Sequence, residues 1–266
     1  MKNLDDLTIV ILTFQTPDEI ILNCLRSIDK NVKIIIVENS KTFLHEKIIS
    51  SEFPNVKIIC TGKNLGYGGG NNFGLKLVKT NYALILNPDV VCEKNLFDNI
   101  PKEINKIKDF AILGFQYSFD KIFMPAGFFD ERKNAQFIED FKNDRISSIS
   151  NVEWVTGCSL LINLKEFKNR NIFDENFFLY FEETDYCFRS NKNNFKIYQV
   201  NSQKVYHDIG TSVETKNEEE LSKLKSLYSW HFIWSKFYYY RKRYGKLTTL
   251  ILFLPALLRI IFRICL

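Results

Sequence analysis

The stretch Tyr82-Ala83-Leu84-Ile85-Leu86-Asn87-Pro88-Asp89-Val90-Val91 restricts what this chain can fold into more than any other. Its first five residues are apolar or aromatic without a break, which suits a strand buried on both faces. Asn87-Pro88 then halts the strand, because proline has no N–H for a ladder and drives the residue before it out of helix. Asp89 is thereby placed at the carboxyl end of a buried strand, where ligands bind in open α/β sheets. A buried carboxylate is costly unless something positive compensates it, and a divalent cation carrying a diphosphate would do so. Taken alone, the tetrapeptide reads more simply as a turn, since Asn, Pro and Asp are ordinary turn residues. The surrounding pattern decides between the two.

That pattern alternates. Leu7–Thr13, Val32–Val37, Val56–Cys60 and Tyr82–Leu86 read as strands. Between the first two, Thr16 can cap a helix, Pro17 fits its first turn, and Asp18 and Glu19 favour its positive end. Ile20, Ile21, Cys24, Leu25 and Ile28 recur at helical spacing and put one face on a sheet. A short helix is expected around Leu44–Ser51, and another running to about Lys79. The alternation implies an α/β fold: a mostly parallel, right-handed, Rossmann-like sheet with helices on both faces. Asn95–Lys108 then reads as helix and Phe110–Phe115 as strand. Residues 116–151 hold Tyr117, Phe119, Phe123, Phe128 and Phe129 but few regular periods.

The glycine stretch Asn64-Leu65-Gly66-Tyr67-Gly68-Gly69-Gly70-Asn71-Asn72-Phe73-Gly74 fails both usual phosphate-loop patterns. Counted from Gly66, the sixth place of a dinucleotide fingerprint is Asn71, and no Gly-Lys-Ser/Thr follows. A flexible backbone entering a helix, with the Asn71 and Asn72 amides on offer, can cradle a sugar nucleotide. A tight turn packed closely on the sheet explains the glycines almost as well.

At 266 residues, with 45% hydrophobic and 15% aromatic content, the chain can hold one large α/β domain, or a domain with an appendage. The six cysteines are Cys24, Cys60, Cys92, Cys158, Cys187 and Cys265; none forms a CxxC pair. They read as reduced core residues of a cytosolic protein. Met1–Asp6 lacks the basic-then-apolar order of a signal peptide.

The formal net charge of +5 matters only where it is clustered, and it clusters late. After a charged helical stretch at Thr215–Ser226, Tyr228–Tyr244 is aromatic and basic. Leu247–Leu258 is almost wholly apolar, followed by Arg259 and Arg263. That run is shorter than the ~20 residues a spanning helix needs, and Pro255 interrupts it. Aromatic and basic residues beside a short apolar segment suit the interface of an anionic membrane. A dimer-forming or core-capping helical pair is the alternative. Nucleic-acid binding is not expected, because the bases cluster only with the apolar tail.

In order along the chain, several motifs resemble the family 2 glycosyltransferases. They are Thr8–Thr13, Val37-Glu38-Asn39-Ser40, the Asn64–Gly74 stretch and Leu86-Asn87-Pro88-Asp89-Val90. Trp154-Val155-Thr156-Gly157-Cys158 follows, then Phe173-Asp174-Glu175 with Tyr180-Phe181-Glu182-Glu183-x-Asp185 and Arg189, and finally Tyr206-His207-x-x-Gly210-x-Ser212. The likeness is nearest to the rhamnosyltransferase-like branch that builds bacterial surface polysaccharides. It implies a GT-A fold over residues 1–213, with a nucleotide-sugar half to about 115 and an acceptor half beyond it. Residues 214–266 are then a helical, membrane-facing extension. Segment 116–151 would face the acceptor or form a plain β-hairpin.

The resemblance further implies inverting transfer of rhamnose or another hexose. The donor would be a dTDP- or UDP-sugar and the acceptor a hydroxyl of a growing, lipid-linked glycan, met at the cytoplasmic face of the membrane. Mn2+ or Mg2+ would neutralise the departing diphosphate. The family's metal motif is Asp-x-Asp; Asn87 stands first here, leaving Asp89 as the carboxylate ligand. His207 matches a position that completes the metal site in some relatives, and an imidazole prefers Mn2+. A polar residue at a strand end explains it equally.

Donor contacts are implied at Thr13, Phe14, Glu38, Asn64, Gly66, Gly69, Asn71 and Asn87. Glu182, Glu183 and Asp185 supply candidate bases, and family position favours Glu183. Apolar surroundings and mutual repulsion would raise their pKa values, as suits a base. Helical spacing puts Glu182 and Asp185 on one face and Glu183 elsewhere. The alternative for these acids is stabilisation of a helix N-terminus. Arg189 either contacts the diphosphate or pairs with Asp185, the latter being preferred. Two other functions fit less well: a sugar nucleotidyltransferase, which would need a basic glycine-rich signature absent from Thr13–Asp18, and a catalytically inactive nucleotide-sugar-binding module. An oligomer is compatible with all of this.

Overall fold

The computed structural model describes residues 3–107, 109–119, 122–167, 171–208, 212–213 and 217–264. Cys265, Gly210 and Thr215, used in the sequence reading, lie outside them. The expected alternation is present: β1 (Leu7–Thr13), α1 (Asp18–Arg26), β2 (Lys33–Glu38), α2 (Glu46–Glu52), β3 (Lys57–Cys60), α3 (Gly66–Leu77) and β4 (Tyr82–Leu86). β1 pairs in parallel with both β2 and β4, and β2 pairs with β3.

Then follow β5 (Val90–Cys92), α4 (Leu96–Lys106), β6 (Ile112–Phe119), β7 (Ile122–Met124), α5 (Glu131–Lys142), β8 (Ile149–Val152), β9 (Ser159–Asn163), α6 (Glu182–Lys192) and β10 (Ile197–His207). These extend the same sheet in the order β3-β2-β1-β4-β9-β6-β10-β5. β9 runs antiparallel to both β4 and β6, and β5 antiparallel to β10. The parallel half is as read from the sequence, but the whole sheet is mixed. α7 (Glu218–Tyr244) and α8 (Lys246–Ile264) close the chain.

Alternation along the inner strands divides the core between two faces. Ile9, Ile11, Leu84 and Leu86 pack with α1 and α4, while Val10, Ala83 and Ile85 pack with α3 and α6 residues such as Leu75, Tyr186 and Cys187. Every residue of β4 is buried, as a strand covered on both faces requires.

Three local expectations are corrected. Thr16 does not cap α1: its hydroxyl accepts from the Phe14 N–H at 3.3 Å, and Pro17 occupies the cap position. The glycines do not form a loop before a helix, since Gly66 to Gly74 are themselves α3. Their lack of side chains lets the helix lie directly on the sheet: a Cβ on Gly74 would stand 2.5 Å from Val10 Cγ1 and 2.9 Å from Val37 Cγ2. Residues 116–151 contain not only the β6–β7 hairpin but also α5, capped by the Asp130 side chain accepting from the Lys133 N–H. None of its residues is buried, so the apolar period that reveals a helix is weak there.

Candidate active site

The carboxyl ends of β1, β2 and β4 converge. The Thr13 hydroxyl donates to Glu38 Oε2 at 2.7 Å, and both residues are buried. Asn39 follows β2 and ties the segment entering α3. Its Nδ2 donates to Asn64 Oδ1 and the Gly66 carbonyl, and its Oδ1 accepts from the Leu65 N–H. Sequence reading quoted Asn39 only as part of a motif; its place one residue past a strand end was the available signal. Gly66 has φ of +75°, and a Cβ there would strike the Phe178 backbone, whose carbonyl accepts from the Tyr67 N–H at 2.8 Å. Thr13, Phe14, Asn39, Asn64, Gly66 and Asn87 line one cleft of about 220 Å3. A larger concavity beside Arg26 and Glu52 lies off the strand ends and gathers none of these residues.

Gly69 and Asn71 lie within α3. Asn71 is fully buried; its Nδ2 donates to the Tyr67 carbonyl while its Oδ1 has no partner. Asn72 is a clamp between helix and loop, exchanging hydrogen bonds with the Phe173 backbone and reaching Glu175.

Past β4, the Asn87 N–H donates to the Cys158 carbonyl, and Asn87 Nδ2 lies 3.3 Å from His207 Nε2. Antiparallel pairing of His207 with Val90 sets that imidazole beside Asp89. Asp89 Oδ1 is 3.2 Å from His207 Nε2, and Asp89 Oδ1 and His207 Nδ1 are both buried without a matched hydrogen-bond partner. Burial lowers the His207 pKa, but the Asp89 carboxylate and the Cys158 thiol lift it to about 10. A proton and a cation would therefore compete for the same place. No group of three or more His, Cys, Asp or Glu side chains is gathered for a metal among the described residues. The orphaned Asp89 Oδ1 and the His207 Nε2 that faces it nonetheless fit a divalent ion, an oxygen and a nitrogen donor being suitable ligands.

The three acids open α6. Glu182 is buried against Gly68, with Oε2 unpartnered. Burial, then the neighbouring Glu183, raises its pKa well above the usual range. Glu183 is half-buried, accepts from the Thr184 hydroxyl at 3.2 Å, and is also pushed up by burial. Its Cγ stands near the backbone of Gly157. Asp185 is held by Arg189 Nε and Lys242 Nζ, each at 2.7 Å, so the expected ion pair with Arg189 is present and a second cation joins it. Before α6 the backbone is forced left-handed at two consecutive non-glycine residues, Tyr180 (φ 71°) and Phe181 (φ 68°).

Tyr67, which the sequence reading did not single out, joins the two groups. Its buried hydroxyl donates to the Gly157 carbonyl at 2.7 Å. Burial first, then Glu182, Glu183, Cys158 and Asp89, raises its pKa. One side chain thus lies within electrostatic reach of both the Asp89 end of β4 and the acids of α6.

Comparison with known proteins identifies the family and the fold. The family model for glycosyl transferase family 2 matches residues 8–213. The low-salt glycan biosynthesis hexosyltransferase Agl10 of Haloferax volcanii is 24% identical over 213 residues, covering 77% of this chain and 68% of the relative. Rhamnosyltransferase WbbL of Escherichia coli K12 is 24% identical over 251 residues, covering 84% and 88%. The solved structure of GalNAc-T7 with UDP, GalNAc and Mn2+ superposes with a TM-score of 0.62 at 12% identity, which speaks to fold alone. It covers 89% of this chain, which in turn spans half the length of that one.

Proposed function

The chain belongs to glycosyl transferase family 2, and on that premise we propose that it moves rhamnose or another hexose from a dTDP- or UDP-sugar to a hydroxyl of a glycan. The observation that carries the reading is Tyr67, which lines the cleft with Asn64 and Asn87 and whose hydroxyl donates to the Gly157 carbonyl at 2.7 Å, beside the Glu183 side chain packed near that same glycine. A donor bound in that cleft would lie beside the candidate base, as a direct displacement demands.

In this reading Thr13, Phe14, Glu38, Asn64, Gly66, Gly69, Asn71 and Asn87 form the donor side. Asp89 and His207 would hold Mn2+ or Mg2+, an ion that offsets the charge growing on a departing diphosphate. The acceptor oxygen attacks the anomeric carbon from the face opposite the diphosphate. The bond to the diphosphate breaks with its electron pair, and the acceptor proton passes to a carboxylate. Glu183 suits that role best. Asp185 is engaged by two cations, Glu182 is enclosed, and Glu183 is partly open with its pKa raised toward working pH.

The tail is read as a membrane-contacting segment, and the acceptor as a lipid-linked glycan met at the inner face of the cell membrane. Leu247, Leu250, Ile251, Leu252 and Leu254 of α8 are exposed, as are Trp230, Ile233 and Trp234 of α7. No described helix is long and apolar enough to cross a membrane, so the reading is one of contact along the surface. The experiment is incubation of the protein with UDP- and dTDP-sugars and Mn2+, following nucleotide release. Release from at least one donor supports the reading, and no release or binding of either nucleotide overturns it.

A further inference from the structure

The family match ends at residue 213, yet the donor cleft does not. Its far wall is α7, through Leu224, Leu227, Tyr228 and His231. The His231 ring lies nearly parallel to that of Phe178, with centroids 4.6 Å apart and planes 21° apart. Phe178 is fixed in turn, because its carbonyl accepts from the Tyr67 N–H at the start of α3. The Tyr228 ring meets Tyr180, one of the two left-handed residues ahead of α6.

α7 is anchored there by polar contacts as well as by rings. The buried Ser235 hydroxyl donates to the Leu179 carbonyl at 2.7 Å, and Lys242 bridges Asp174 and Asp185. The helix is therefore seated over the site by contacts spread along several turns. It is not draped loosely beside the cleft.

At about 220 Å3 the cleft is below the ~300–1,000 Å3 typical of whole-ligand sites, so it takes one part of a sugar nucleotide. About half of its lining residues are Leu or aromatic, with Thr13, Thr16, Asn39, Asn64, Asn87 and Ser212 as polar points near the strand ends and loops. That composition suits a flat, amphipathic nucleoside better than a hexose, which needs hydrogen bonds around its whole rim. We infer that α7 is the roof of the nucleoside subsite, with Tyr228 and His231 as positioning residues that supply ring faces against the donor's nucleoside. This rests on the reading of the cleft as the donor site. It adds a segment outside the matched domain to the machinery that selects the nucleotide.

The test uses the full chain with Mn2+ and measures equilibrium binding of UDP and dTDP by calorimetry. Tyr228→Ala and His231→Ala should each weaken the tighter-binding nucleotide by about tenfold, roughly the loss of one aromatic contact. Tyr228→Phe and His231→Phe keep the ring and should restore most of that loss. Lys223→Ala, on an exposed part of the same helix where Lys223 pairs with Glu219, should bind like the parent. Melting temperatures identify any variant that has lost its fold, and the ring-retaining pair carries the test in that case. Parent-like binding by both alanine variants overturns this inference and leaves the proposed function standing. Weakened binding in the Phe variants equal to that of the Ala variants overturns the ring-face role. Failure of the parent chain to bind either nucleotide removes the proposed function, and this inference with it.

Discussion

Glu182, Glu183 and Asp185 share the first turn of α6, yet their surroundings separate them. Helical spacing was enough to expect Glu182 and Asp185 on one face. It could not show that Lys242, far along the chain on α7, would pair with Asp185. Nor could it show that Gly68 would close over Glu182. Such partners come from packing between elements, and no local pattern encodes them. The raised Glu182 pKa has a consequence for stability. Below the ordinary value of 4.5 the carboxyl is protonated in both folded and unfolded chains, so it has no effect. As pH rises from there through the folded pKa, the unfolded chain releases the proton more readily and stability falls. Glu182→Gln should remove this decline. Its melting temperature should exceed the parent's by about 2–4 °C at neutral pH, corresponding to roughly 1 kcal/mol, and match it near about pH 4. A difference that is constant across pH would contradict the assignment.

At the scale of elements, the apolar runs and the spacing of Ile21, Cys24, Leu25 and Ile28 made β1, α1, β2 and β4 legible before any coordinates. Their apolar runs and periods are complete within each element, so no distant contact is needed to recognise them. The antiparallel half was not legible. β9 enters between β4 and β6, and β10 pairs with β5, across long stretches of sequence. α5 was invisible because none of its residues is fully buried, Phe137 being only partly packed on the core. The glycines of α3 were legible as glycines but ambiguous in purpose, and the structure gives them a packing role. A methyl at Gly74 would gain up to about 1 kcal/mol of helix propensity. It would also press on Val10 and Val37, fully buried β-branched residues that cannot swing away. Overpacking of this kind costs typically 1–3 kcal/mol, so the clash wins. Gly74→Ala should lower stability by about 1 kcal/mol in urea unfolding with an unchanged slope; a stabilised variant would refute this packing account.

For the whole molecule, the tail is where sequence and structure complement each other. The aromatic and basic composition was readable, but its division between inward and outward faces was not. Ser235 and Tyr239 are buried, whereas Trp230 and Trp234 of α7 and Leu247, Leu250, Leu252 and Leu254 of α8 are exposed. α7 thus lines the proposed donor cleft on one side and exposes Trp230, Ile233 and Trp234 on the other. The protein is expected to sediment with vesicles containing phosphatidylglycerol and to be released by salt, each basic residue near the surface being worth about 1 kcal/mol. Ile251→Asp should weaken that binding; equal sedimentation with neutral vesicles, or insensitivity to both changes, would remove the membrane from the picture.

Asp89 and Glu183 stand at the centre of the account, one for the leaving diphosphate and one for the acceptor proton. The most direct measurement takes Glu183→Gln and Asp89→Ala through the same two assays, nucleotide binding and transfer from the preferred donor with Mn2+. Glu183→Gln should bind nucleotide like the parent while transfer falls by about a hundredfold or more, as for loss of a general base. Asp89→Ala should lose both transfer and the metal dependence of binding. Parent-like transfer by Glu183→Gln, or metal-dependent binding that survives in Asp89→Ala, would contradict it.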